Sequence, residues 1–319
     1  MKKTLLALVI ASALPAAAFA DVTVYGKANV ALQNADEELS GSKIELVSNS
    51  SRIGVKGGEE VNSDLKVIYQ FEYQTEVDDG NGSNNQTFSQ RNIFLGVQGS
   101  AGTVMGGRFD TPTKVAQEKV DLFNDLEGDI GQILNGEIRA SNIVQYVTPA
   151  SWGAFTSSIA YVASENENVD DGVSLSVAYN TPALYLAAAM DQNVEAEDVD
   201  LIRLVGRLTL GAFQFGLLGE NYDDGMVDDD GVFVSALWNL NDKWALKTQY
   251  GQSDVKKVSD LIMTDGESVS IGADYKMTKA ATWYAYVTQV EGDNSVVVTG
   301  TDATLRDDTY VGVGLDYKF

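Results

Sequence analysis

The stretch Tyr310-Val-Gly-Val-Gly-Leu-Asp-Tyr-Lys-Phe319 reads with a period of two. Val311, Val313, Leu315, Tyr317 and Phe319 take one face; Tyr310, Gly312, Gly314, Asp316 and Lys318 take the other. A strand with one apolar side gives this pattern. Far upstream the rhythm returns, with Val22, Val24, Ala28, Val30 and Leu32 against Thr23, Tyr25, Lys27, Asn29 and Gln33. In a soluble sandwich the apolar face would line a core. In a membrane barrel it would face lipid, leaving the polar face to an enclosed lumen. Alternation alone leaves both open.

The connections between strands separate the two. Short turns are expected near 59–64, 99–102, 149–153, 181–183, 210–212, 239–242 and 277–280. Longer polar connections are expected near 35–42, 78–85, 111–139, 164–172, 192–198, 223–230, 253–267 and 291–308. This long-short rhythm yields about sixteen strands, and it is the rhythm of outer-membrane barrels, with short turns on the periplasmic side. Aromatic residues flank the short turns: Trp152, Phe155, Tyr185, Phe213, Trp238, Trp244, Trp283 and Tyr284. Core packing would use such rings too, but an amphipathic girdle where hydrocarbon meets headgroups requires them. The mature prolines, Pro112, Pro149 and Pro182, all fall in expected turns or loops, as a closed ladder demands.

The first residues have a different design. Lys2 and Lys3 precede an apolar run from Thr4 to Leu14, and Ala18-Phe19-Ala20 offers a cleavage site before Asp21. The layout predicts a cleaved export signal over 1–20 and a single barrel domain over 21–319. No later stretch approaches 18 uninterrupted apolar residues, so no transmembrane helix is expected.

Composition excludes most chemistry. The chain of 319 residues has no Cys and no His, which removes Ser-His-Asp and Cys-His catalysis and the usual zinc ligands. No cofactor is implied. The net charge is −24; without Lys2 and Lys3 the mature part has 20 basic against 46 acidic side chains, or −26. Such a field repels nucleic acid and attracts cations. The acidic run Asp228-Asp229-Asp230, with Asp223 and Asp224, could bridge divalent ions to lipopolysaccharide, but carboxylates without fixed ligand spacing usually mark a solvated loop.

A resemblance spans the mature chain in order. Its segments are Val22-Thr-Val-Tyr-Gly-Lys27, Ser51-Arg-Ile-Gly-Val-Lys-Gly57, Asp64-Leu-Lys-Val-Ile-Tyr-Gln-Phe-Glu72, Arg91-Asn-Ile-Phe-Leu-Gly-Val97, Gly102-Thr-Val-Met-Gly-Gly-Arg108, Arg139-Ala-Ser-Asn142 and Val313-Gly-Leu-Asp-Tyr-Lys-Phe319. The set resembles the general, non-specific trimeric porins of Gram-negative bacteria. The resemblance implies an all-β transmembrane antiparallel barrel of sixteen strands in the bacterial outer membrane. It also implies a homotrimer among lipid and lipopolysaccharide, and a long third extracellular loop folded into the lumen. Acidic groups on that loop, Asp125, Glu127 and Asp129, would face a basic wall of Lys27, Arg52, Arg91 and Arg139, with Arg108 a further candidate. The loop core Asn124-Asp-Leu-Glu-Gly-Asp129 departs from the Pro-Glu-Phe-Gly-Gly-Asp form of enteric relatives, leaving open which carboxylate lines the gap.

Alternation independently places Lys27 and Arg52 on the polar face. Arg91 shares its parity with Ile93, Leu95 and Val97, so either these residues back the infolded loop or a bulge shifts the register. The expected activity is passive diffusion of small hydrophilic solutes and ions with a cation preference; the alternative is a substrate-specific channel. Opposed charges ~8 Å apart at a dielectric near 40 would interact by about 1 kcal/mol, enough to bias passage without trapping an ion.

Overall fold

The computed structural model describes residues 22–80, 86–225, 228–258, 261–295 and 302–319; the expected export signal lies outside them. Seventeen strand segments form one antiparallel sheet. They are β1 (Thr23–Glu37), β2 (Gly41–Ser48), β3 (Arg52–Glu60), β4 (Lys66–Gln74), β5 (Ser89–Gly99), β6 (Gly102–Asp110), β7 (Arg139–Val147), β8 (Phe155–Val162) and β9 (Gly172–Asn180). There follow β10 (Leu184–Gln192), β11 (Asp200–Leu210), β12 (Phe213–Asp223), β13 (Asp228–Asn239), β14 (Trp244–Val258), β15 (Leu261–Lys276), β16 (Ala281–Ser295) and β17 (Asp302–Lys318).

β2 and β3 are successive halves of one crossing, because both pair with β1: Val30 opposite Ser48, then Lys27 opposite Arg52. Sixteen crossings result. Between the halves, Ser50 takes a positive φ of 51° and the Asn49 N–H donates to Asn29 O, so the strand kinks without losing its partner. β1 also pairs with β17, Ala28 opposite Tyr317 and Leu32 opposite Val313, which closes the sheet. The Phe319 ring lies on Gly26, where an added Cβ would fall 2.3 Å from Cζ. Closure leaves no edge unpaired in a medium that cannot satisfy one.

Burial decides which way the faces point. Leu32, Val104, Leu204, Ile271 and Val313 are 51–63% exposed, while Gln33, Arg203, Gln249, Ser270 and Thr288 are at most 2% exposed. The apolar face points outward and the polar face inward, inverted relative to a soluble protein. No helix of the described residues is long and apolar enough to cross a membrane.

Two expectations need correction. Tyr185 and Tyr284 do not belong to the outer girdle: both are buried, Tyr185 donating to Ala116 O and Tyr284 to Asn29 Oδ1. Their parity sets them inside, where a hydroxyl finds a partner that lipid would deny it. Trp152, Phe155, Phe213, Trp238, Trp244 and Trp283 are exposed on the outside. In addition, the described residues of the connections expected over 253–267, 291–308 and 223–230 are largely ladder, because β12 to β17 extend beyond the apolar band into polar sequence; residues 226–227, 259–260 and 296–301 of these connections lie outside the described residues. Backbone pairing needs no apolar side chains, so the hydropathy pattern ended before the strands did.

Candidate functional site

The connection between β6 and β7 is the structured one. It opens with helix α1 (Pro112–Ala116), where Thr111 Oγ1 accepts from the Lys114 N–H at 3.2 Å and Pro112 occupies the first turn. Later a 3-10 turn (Ile130–Gln132) is capped by Asp129, whose Oδ1 accepts from the Gly131 N–H at 2.8 Å.

The segment touches inward-facing residues around most of the barrel. Thr113 Oγ1 donates to Asp191 on β10 (2.6 Å), and Gln214 on β12 donates to Lys119 O (3.0 Å). Lys247 on β14 donates to Leu122 O (3.0 Å), Arg306 on β17 to Gln132 (2.9 Å), and Gln33 on β1 to Glu127 (2.9 Å). Only a segment lying within the lumen can reach strands on so many sides.

Its underside is apolar. Val120, Ile130, Ile133 and Leu134 pack with Val205, Leu218, Phe233 and Val290 of the wall, while Phe123 packs with Tyr284, Tyr286 and Tyr310. Five loop side chains (Val120, Phe123, Ile130, Ile133 and Leu134) are completely buried. At roughly 2 kcal/mol each, they hold the loop with on the order of 10 kcal/mol before ordering costs.

What the loop leaves open is a cavity of about 600 Å³ against the opposite wall. Arg52, Arg91 and Arg139 line it from the wall; Lys114, Gln117, Glu118, Asn124, Asp125 and Asp129 line it from the loop. Lys27 Nζ lies 2.7 Å and Arg52 Nη2 3.2 Å from Asp125 Oδ2. These charges meet directly, where opposition across a gap was expected.

Arg91 and Arg139 do not reach the loop carboxylates. Arg91 Nε pairs with Glu72 at 3.0 Å, and Arg139 Nη2 with Asp110 at 2.9 Å. Arg91 owes its inward aim to a bulge. Phe71 faces Ile93 but Tyr73 faces Gln90, so one extra residue of β5 is accommodated at Arg91-Asn92 and the parity flips. Arg108 donates instead to Ser141 Oγ (2.7 Å) in an exposed pair.

The three loop carboxylates differ. Burial alone would raise the Asp125 pKa, but Lys27 and then Arg52 pull it below the ordinary carboxylate value. Glu127 turns toward β1; burial pushes it upward, against the lowering effect of the Gln33 amide that donates to it. Asp129 is raised by burial and then by Glu137, against the lowering effect of the Asp125 and Gly131 N–H groups. Asp121, fully inside the loop, accepts from the Phe123 and Ile130 N–H groups and is raised mainly by burial. Among the described residues no cluster of acidic side chains is arranged to hold a metal ion. Within the acidic run, Asp228 and Asp230 accept from the Asn221 amide at 2.6 and 3.2 Å.

Sequence reasoning missed Glu72, Asp110, Arg203 and Glu220. Parity would have found Glu72, between Phe71 and Tyr73, and Arg203, between Ile202 and Leu204. Asp110 lies where the ladder ends, and nothing marks it.

A family model described as Gram-negative porin matches residues 4–295. The major outer membrane protein P.IB of Neisseria meningitidis serogroup B is 26% identical over 350 residues, covering 100% of both chains. Its namesake from Neisseria sicca is 32% identical over 183 residues, which is 54% of this chain; that match spans half (50%) of the relative's length. Among solved structures, the anion-selective porin from Comamonas acidovorans superposes with a TM-score of 0.74 at 20% identity, covering 94% of this chain and 100% of the other. The trimer form of OmpT, an outer membrane protein of Vibrio cholerae, gives 0.66 at 20% identity, covering 93% and 99%. At such identities the superpositions speak for the fold.

Proposed function

This chain belongs to the Gram-negative porin family, and on that premise we propose that the cavity between loop and wall is the constriction of its channel and that the channel prefers cations. The protein is an outer-membrane β-barrel for passive diffusion and not an enzyme. Asp125, Asp129, Arg52, Arg91 and Arg139 are the groups that a small hydrophilic solute passes, with Lys27 holding Asp125 from behind and Glu127 fixing the loop's course against β1.

One observation carries the charge preference: the wall cations are already neutralised. Four basic residues line the cavity (Arg52, Arg91, Lys114 and Arg139) against five acidic ones (Glu72, Asp110, Glu118, Asp125 and Asp129). Arg91 and Arg139 each have a carboxylate within 3.0 Å, and Arg52 has one at 3.2 Å. With the narrow zone balanced, the excess of 46 acidic over 20 basic side chains in the mature part biases the approach. The Comamonas protein, described as anion-selective, has the same fold at 20% identity, so ion preference belongs to side chains and not to architecture.

A homotrimer is the proposed assembly. All four tryptophans stand at or after Trp152, while the outer wall from β1 to β6 exposes Leu32, Ile44, Leu46, Ile53, Leu95 and Val97 without one. A wall that meets copies of itself needs no headgroup anchors. The rest of the outer face meets lipid, and the long-loop rim meets lipopolysaccharide.

Reconstitution in a planar bilayer under a salt gradient tests the reading. Stepwise conductance in groups of three with a cation-directed reversal potential is expected. A silent membrane overturns the constriction, single isolated steps overturn the trimer, and an anion-directed potential overturns the charge argument.

A further inference from the structure

We infer that Arg203 is the positioning residue of the infolded loop: one guanidinium on the wall clasps both ends of the loop and thereby sets the width of the gap. The inference rests on reading that gap as the constriction. Arg203 projects from β11 and is completely buried. Its Nη1 donates to Thr113 O (3.4 Å), at the start of the loop, and to Glu137 Oε1 (2.9 Å), at its end. Its Nη2 donates to Asn135 O (2.5 Å) and to Glu220 Oε2 (2.8 Å), and Nε to the same Glu220 oxygen (3.1 Å). Glu220 Oε1 in turn accepts from the Asn135 N–H at 2.7 Å.

The backbone turns tightly at the clasp. Gly136 has φ +75°, and a Cβ there would lie 2.9 Å from Arg203 Nη2. Residues 113 and 135 are thus held together by a planar fork of fixed donors, which no other side chain supplies. Being out of solvent, Arg203 meets no solute. Its charge is matched by Glu220, wholly buried itself, and by Glu137. Buried ion pairs are weak sources of net stability but strong devices for fixing one arrangement among several.

The two ends of the clasp can be dissected. Arg203→Lys keeps a cation beside Glu220 but offers one nitrogen, which cannot span both loop ends. In the double variant Arg203→Leu/Glu220→Leu both wall charges go together, while Glu137 keeps Lys114 at 3.6 Å. Hydrogen exchange of the loop amides in detergent-folded protein, including Asn135, is compared with exchange in β12–β14, alongside open-channel current noise in planar bilayers.

Both variants are expected to fold with wall exchange unchanged, loop exchange faster by about tenfold or more, and noisier open currents with sublevels. Loop exchange and noise at wild-type levels in Arg203→Lys would show that charge alone suffices and would overturn the two-ended clasp. Unaltered exchange in the folded double variant would overturn any positioning role. A silent wild-type channel would strike the constriction reading alone, since exchange does not depend on conductance.

Discussion

The wall from β10 round to β17 and the wall from β3 to β7 enclose the same lumen, yet their inward faces differ. Beneath the loop the inward residues include Ala187, Ala189, Val205, Leu218, Phe233 and Val290, interleaved with buried polar groups that bond to the loop or to one another, among them Asp191, Arg203, Gln214, Glu220, Lys247 and Gln249. Across the gap they include Arg52, Glu72, Arg91, Asn92, Asp110 and Arg139, with a smaller apolar group around Phe109, Ile143 and Ala160 farther along. A barrel's polar interior is therefore a rule about water, not about direction. Where the loop excludes water, inward positions are free to become a core; where solutes pass, they hold paired charge.

The sharpest way to break this contrast is to put charge under the loop. Ile133→Asp places a carboxylate out of solvent in the apolar cluster with Val205, Leu218, Phe233 and Val290, at a cost of about 3–5 kcal/mol. The loop should leave its seat while the barrel stays folded, read as new protease cleavage within 112–138. Resistance equal to wild type would mean that the apolar underside does not hold the loop. Next in size is Asp125→Asn, which frees Lys27 and Arg52 at the edge of the open half. Two charge-assisted contacts are lost, about 1–3 kcal/mol, and the reversal potential should move toward anions. A move toward cations would place Asp125 away from the ion path.

Acid should act on both halves with opposite signs. Asp125 has a folded pKa below its unfolded value of about 4. Its contribution is complete above that value and is lost as pH falls through the lower folded one. Asp121 and Asp129 have raised folded pKa values, so the stability they allow is present at low pH and declines as pH rises through the folded values. Loop protection measured by exchange should therefore pass through a maximum on the acid side of neutrality, and a monotonic rise with pH would contradict the sign given to the buried pair. On the open wall, Arg139→Gln removes a partly exposed partner of Asp110, so stability should change by less than about 1 kcal/mol, while cation preference and conductance rise. Smallest of all is Asp230→Asn in the hydrogen-bonded acidic run, expected within about 0.5 kcal/mol of wild type and without effect on selectivity.

The barrel was legible because alternation survives over 22–33 in β1 and 310–319 in β17, where lipid lies on one side and lumen on the other. Legibility failed where a side chain's direction depends on a partner. Arg91 faces inward only through the register of β4 against β5, which parity within β5 contradicts. Tyr185 and Tyr284 were misassigned because both a lumen and a headgroup layer accept aromatic rings. Asp125, Glu127 and Asp129 look equivalent in sequence, yet a positive φ of 68° at Asp125 and the cap at Asp129 send them to different neighbours. For Arg203, alternation gives the face, but its partners Glu220 and Glu137 lie 17 and 66 residues away and no local pattern names them.

The apolar underside of the loop has one further consequence. Excising residues 114–134 would strip the cover from Val205, Leu218, Phe233 and Val290, leaving a greasy stripe along a tube only nanometres wide. The charged wall opposite would keep the widened lumen wet, so the shortened pore should stay open, while its bared apolar patches offer a resting place to solutes with a greasy side. Taking out the obstruction should therefore yield a wider channel that retains amphipathic molecules longer than purely hydrophilic ones.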